Sequence, residues 1–145
     1  MEKDTLLLTE RSLGDKKQDF LTLALTAKER TQLRGRRLTS RGVAVILQLP
    51  RGPKLLPGEI LQGETHKFIV QVQAANEKLL RIRAKSKASL IRAAYHLGNR
   101  HVQVEILENE LFILEDLVMH KMLERLRFNI ERVKREFSPE VGAYD

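Results

Sequence analysis

The chain has 145 residues, 42% of them hydrophobic and 31% charged, a globular balance that excludes an extended disordered protein. It has no cysteine, which removes disulfides, thiolate metal sites and cysteine nucleophiles together, so any metal must be held by imidazole, carboxylate or backbone oxygen. The formal charge of +7 is concentrated in the first half, where Arg34, Arg36, Arg37 and Arg41 lie close together and Arg51 and Lys54 follow. That field suits an acidic protein surface as well as nucleic acid, and 5% aromatics with no tryptophan leave few platforms for base stacking.

The first segment, "MEKDTLLLTE", has an apolar run of only Leu6 to Leu8, too short for a secretory leader or a membrane span. The chain is therefore placed in the cytoplasm, with no membrane partner. "FLTLALT", "GVAVILQLP" and "HKFIVQVQA" then read as strands with one covered face. Between them "RGRR", "PRGPKLLPGE" and "QGET" read as hairpin-like reversals, because glycine and proline punctuate them. With no helical period, residues 1–74 predict a small antiparallel β domain, a sandwich or barrel. Each half of the chain is small enough to need packing or oligomerisation for stability.

Near "AANEKL" the rhythm changes. "LLRIRA" predicts a strand, "SKASLIRAAYHL" a helix, "HVQVEIL" and "ELFIL" two strands, "EDLVMHKMLERLRF" a helix and "ERVKREF" a last strand. For residues 75–145 this βαββαβ order predicts a ferredoxin-like domain, with both helices on one face of a four-stranded sheet. The overall class is α+β.

The first helix of this half is capped by Ser86 and carries Leu90, Ile91, Ala94 and Leu97 at spacings of three and four. Gly98 suits the left-handed residue that ends a helix. In "HVQVEI", period-two alternation turns Val102, Val104 and Ile106 to one face and His101, Gln103 and Glu105 to the other, which the helices leave open. His101 would then be rigid and reachable at the start of a strand, as a metal ligand must be. His96 suits the helix C-terminal dipole, and His66 falls in the turn "GETHKF". In the second helix Met119, Met122, Leu123 and Leu126 form a core stripe, Leu117 points away from it with His120 and Glu124 beside it, and Glu115 and Asp116 serve first as cap and dipole partners. There is no phosphate-cradling glycine loop, nucleophile elbow or metal-hydrolase helix motif, so no enzyme is expected.

Four stretches together resemble one family: "RAAYHLGNRHV", "LEDLVMHKML", "FSPEVGAY" and "GVAVILQLPRGPKLLPGEIL" are similar to segments of the urease accessory protein UreE, a family of cytosolic nickel metallochaperones. The resemblance covers most of the chain. It implies an N-terminal protein-interaction domain and a C-terminal domain that dimerises and binds Ni(II) on the two-fold axis. The implied principal ligand is His101 from each subunit, and the implied partners are the accessory GTPase of the urease assembly complex and the urease apoprotein. Family members often carry a histidine where this chain has Leu117 after Asp116, and many continue past Gly-Ala-Tyr into a histidine-rich tail, where this chain has only Asp145. Imidazole also suits copper and zinc, so Cu(II) or Zn(II) would bind the same site. His96 is an additional candidate ligand, and so is His120, one turn after Leu117, which could stand in for the missing histidine. The competing expectation, with nucleic acid the disfavoured partner, is an RNA-binding module using the ferredoxin-like domain and the Arg34–Arg41 cluster.

Overall fold

The computed structural model describes residues 5–12, 20–63 and 69–142, and the chain divides into two compact units, Met1–Ala75 and Asn76–Asp145. The architecture is mixed α+β.

The first unit contains β1 (Leu6–Leu8), β2 (Glu10–Ser12), β3 (Phe20–Leu25), β4 (Arg34–Leu38), β5 (Ala44–Gln48), β6 (Ile60–Gln62) and β7 (Ile69–Ala74), with one 3-10 turn at Glu29–Thr31. They form a three-stranded sheet, β1-β5-β4, and a four-stranded sheet, β2-β6-β7-β3. Leu8, Val45 and Leu47 of one sheet and Leu23, Leu61 and Val70 of the other share one core, all at most 1% exposed. The expected purely antiparallel domain is corrected here, because β1 pairs with β5, and β3 with β7, in parallel. The chain switches sheet after β1, β3 and β5, and alternation within a strand carries no information about such crossovers.

Two of the expected reversals are also corrected. "RGRR" lies inside β4, with Gly35 opposite Leu47, and the chain reverses after it, where Thr39 bonds Val43 and Gly42 adopts φ 78°. "PRGPKLLPGE" joins strands of different sheets. It is held by Leu55, fully buried, and by Arg11, whose guanidinium donates to Glu59 at 2.6 and 2.8 Å and to the carbonyls of Pro53 and Lys54. β6 and β7 do pair antiparallel, but residues 64–68 of their connection, His66 included, lie outside the described residues. Gly63 at its start is needed for close approach: a methyl group there would strike the Leu7 carbonyl oxygen.

The second unit runs β8 (Asn76–Arg83), α1 (Lys87–Asn99), β9 (Glu105–Ile106), β10 (Leu111–Leu114), α2 (Leu117–Arg125) and β11 (Asn129–Glu136). Its sheet has the order β11-β8-β10-β9, every neighbour antiparallel. Leu80, Ile82 and Ile113 of the sheet pack with Ala93 and Leu97 of α1 and Leu123 of α2. Ser86 caps α1 by accepting from the Ser89 amide at 3.1 Å, and Asp116 caps α2 by accepting from the Met119 amide at 3.0 Å. Two expected core residues are instead on the surface, Ile91 at 70% exposure and Leu126 at 43%.

The face opposite the helices is partly covered rather than open, contrary to expectation. Leu79, Phe112 and Phe137 are buried on it, and the Arg81 and Arg135 guanidinium groups stand over the Phe112 ring at 5.6 and 4.1 Å. The register brings Leu114 opposite Leu79 and Glu136 opposite Asn76. Because α1 returns along β8 to the Asn76 end, the α1 terminus, the β10–α2 connection and the segment after β11 meet at one end of the unit.

Candidate metal centre

The local structure around His101 begins with Leu97 and Val102, apolar residues five apart that both pack on the core of the second unit. To bury both, the helix closes with a pair of bonds across its last turn, from the Val102 amide to the Leu97 carbonyl at 3.1 Å and from the His101 amide to the Gly98 carbonyl at 3.0 Å. This is a Schellman motif, and its left-handed position belongs to His101, at φ 57°. Gly98 therefore lies within the helix, one turn earlier in role than expected, with open space where a Cβ would be. The position of the apolar pair outweighs glycine's preference for the cap. Histidine is among the few non-glycine residues enriched in this conformation. The same device ends α2, where Arg127 has φ 66° and the Phe128 amide bonds the Leu123 carbonyl.

His101 is exposed, but it does not start a strand, because β9 begins only at Glu105. The expected alternation of "HVQVEI" also fails at its end: Glu105 is 6% exposed and Ile106 is 49% exposed. Residues 102–104 bypass the sheet ladder, and the Glu140 amide bonds the Val104 carbonyl at 2.8 Å. Glu105 is buried because its carboxylate has partners, the Arg135 guanidinium and the Ser138 amide.

The other candidates are dispersed. His96, half-buried in the last turn of α1, meets Tyr95 edge-on with ring centroids 5.6 Å apart. His120 has a side chain only 17% exposed, with Nε2 2.8 Å from a Glu124 carboxylate oxygen. It lies on the flank of α2 rather than on the fully outward side that Leu117 occupies at 63% exposure. Asp116 is engaged in capping, and Glu115 pairs with Arg132 at 3.4 Å. Among the described residues, no three His, Asp or Glu side chains gather into a metal site. The described residues of one chain thus offer an exposed imidazole and no gathered coordination shell.

Around that imidazole's end of the unit are exposed apolar side chains: Tyr95 at 68%, Leu114 at 42%, Leu117 at 63% and Val118 at 64%. Ile91 on α1 extends the surface away from this end. In the first unit the arginine cluster is not uniformly free. Arg34, Arg36 and Arg41 are exposed, whereas the Arg37 guanidinium folds across Gly35 to the Arg36 carbonyl at 2.7 Å and Gln32 at 2.8 Å, with Glu29 at 3.7 Å.

Residues 7–75 match the N-terminal domain, and residues 77–145 the C-terminal domain, of the UreE urease accessory protein family. The chain belongs to the UreE family. A urease accessory protein UreE of Parasynechococcus marenigrum is 47% identical over 144 residues, covering 99% of this chain and 96% of its own length. A Synechococcus UreE is 44% identical over 144 residues, 96% of this chain and 82% of its own. One from Prochlorococcus marinus is 47% identical over 125 residues, 86% of this chain and 84% of its own. A UreE protein is an accessory chaperone for urease maturation and not an enzyme. These matches give the RNA-binding reading no support. No helix among the described residues is long and apolar enough to cross a membrane.

The left-handed conformation of His101 was missed in the sequence, although a signal for it existed. Leu97 and Val102 are spaced as the two apolar partners of a Schellman cap, and the residue before the second of them is the left-handed one.

Proposed function

We propose that this UreE protein is a cytoplasmic nickel carrier that dimerises through residues 75–145 and holds Ni(II) between the two His101 side chains. The cargo passes to the accessory GTPase of the urease assembly complex and on to the urease apoprotein. The observation that carries this reading is His101 itself, an exposed imidazole in a left-handed turn, pinned on the helix side and set at an end of the unit where Tyr95, Leu114, Leu117 and Val118 are unburied. Exposed apolar surface of this kind marks an association site, and a two-fold contact there would bring each His101 toward its mate.

The strand order β11-β8-β10-β9 supports a ferredoxin-like assignment for this domain, since each helix connects strands that are not neighbours in the sheet. Residues 1–74 act as the protein-interaction domain, with Arg34, Arg36 and Arg41 among its exposed cations. Two imidazoles leave the Ni(II) shell open to water or to further donors. His96, and His120 on release from Glu124, are the auxiliary candidates. An incomplete shell suits a carrier, because an acceptor's ligand can enter before the donor's leaves. Cu(II) and Zn(II) compete for the same imidazoles unless their supply is restricted.

The test is calorimetric titration of the metal-free protein with Ni(II), beside His101→Ala, with the mass in solution measured by light scattering. One tight Ni(II) per dimer, lost in the variant, is the expected result. Unchanged binding in His101→Ala refutes the assignment.

A further inference from the structure

Glu105 is the only buried charged side chain among the described residues of the second unit, at 6% exposure. It stands opposite Phe112 in the β9–β10 register, on the sheet face opposite the helices, where Leu79 and Phe137 are also buried. An apolar side chain would be the ordinary occupant of such a layer. Instead, both Glu105 oxygens accept from Arg135, each at 3.0 Å, and one of them also accepts from the Ser138 amide at 2.8 Å. Arg135 lies 4.1 Å over the Phe112 ring, so its guanidinium plane is held on one side by the aromatic face while its edge grips the carboxylate. One residue earlier, the Glu140 amide bonds the Val104 carbonyl at 2.8 Å. Residues 137–140 thereby form a strap over the segment that leads out of the His101 turn.

On its helix side, the turn is held by the bonds to Leu97 and Gly98. On its other side, residues 102–104 belong to no strand; Val102 and Val104 pack on the core, and the bond from Glu140 and the Glu105 clamp add the polar ties that fix the backbone there. A buried ion pair is a poor source of stability compared with a well-packed apolar pair of similar volume, but a bidentate one tolerates little displacement.

We propose that Glu105 and Arg135 are positioning residues for His101: by clamping the strap to β9 they hold the exit arm of the metal-binding turn, and so the imidazole, in one place. This rests on the reading of His101 as a ligand. It adds that ligand geometry depends on a charge pair that touches neither the metal nor the imidazole.

The test uses the full chain with Glu105→Gln and with the double variant Glu105→Leu/Arg135→Met, which replaces the pair by packed apolar groups and guards against simple misfolding. Three quantities are read: thermal midpoint, Ni(II) affinity by calorimetry, and amide relaxation of residues 99–104 in the metal-free protein by NMR. The expected result is a double variant with the parent's midpoint or higher, looser amides through the turn, and Ni(II) binding weakened about tenfold, the low end of what outer partners of metal ligands contribute. Parent-like relaxation in the turn, or parent-like Ni(II) affinity, in a folded double variant overturns the proposal. His101→Ala, measured alongside, separates the two failures, since unchanged binding there removes the ligand assignment, while the metal-free relaxation still decides whether the clamp orders the turn.

Discussion

Replacing His101 by glycine separates the backbone role of this position from its chemical role. A side chain at φ 57° brings its Cβ against the following carbonyl, which costs about 1–2 kcal/mol for an L-residue outside the right-handed region. Glycine removes that contact but widens the unfolded ensemble, at a cost of about 0.5–1 kcal/mol. The His101 ring is exposed, so little packing is lost with it. The balance is a stabilisation of about 0.5–1 kcal/mol, a rise of roughly 2–8 °C in midpoint for a unit of this size. His101→Ala keeps a Cβ in the same place and should stay within about 0.5 kcal/mol of the parent. Arg127→Gly supplies the matched control at φ 66°, with the same expected rise and no effect on Ni(II). Urea and thermal unfolding of the three metal-free variants, with Ni(II) calorimetry on each, decide the matter. The reasoning fails if His101→Gly is no more stable than His101→Ala, or if it still binds Ni(II) tightly.

Three further outcomes are expected. Asp116→Ala loses the cap on α2 and about 1 kcal/mol of stability in urea unfolding, whereas Asp116→Asn keeps both the cap and tight Ni(II) binding; loss of binding in the asparagine variant would make Asp116 a ligand. His120→Ala removes the contact with Glu124, which is worth about 0.2–0.5 kcal/mol, and weakens Ni(II) binding without abolishing it; unchanged Ni(II) affinity and stoichiometry would remove His120 from the auxiliary ligands. Arg34→Glu with Arg36→Glu weakens capture by an acidic partner in a salt-dependent way and spares Ni(II) binding, while Arg37→Glu lowers the thermal midpoint because its guanidinium is used inside the first unit; equal loss of Ni(II) binding in the first variant refutes the division of labour.

Element type was legible wherever a single period ran long enough. α1 and α2 followed from spacings of three and four between apolar residues, β3 and β7 from alternation, and β5 from an apolar run rich in valine and isoleucine, the strands bounded by turn residues. What escaped was decided by partners distant in sequence. β4 reads as a turn because Gly35 sits between arginines, yet five residues of it pair with β5. The parallel pairings of β1 and β3 depend on which sheet the chain enters next. Glu105 reads as a solvent-facing strand residue, and only Arg135, thirty residues on, allows it to be buried. Similarly, the candidate histidines were all visible, but their separation was not: the Glu124 contact of His120 and the Tyr95 contact of His96 are side-chain choices that spacing permits without requiring.

The two helix ends of the second unit form a natural contrast. Both close with a Schellman pair, Leu97 with Val102 and Leu123 with Phe128, and both place a non-glycine residue in the left-handed position. The fold therefore has a geometric reason for a strained residue at each end, and the proposed metal role would account for histidine at one of them. A side chain in that position projects beyond the helix it terminates, where neighbours of its own chain crowd it least. For an enzyme, such exposure would leave a ligand loosely held and wet. For the proposed two-fold carrier it would be the useful arrangement, because each chain would present its imidazole past its own surface to share an ion with a second copy. Strain of this kind persists only where the surroundings over-determine the backbone. At Arg127 the apolar pair and β11 do so directly. At His101 the apolar pair holds one arm, and on the other the Glu105 strap adds to the packing of Val104, which under the proposed ligand role would keep an exposed imidazole from being mobile.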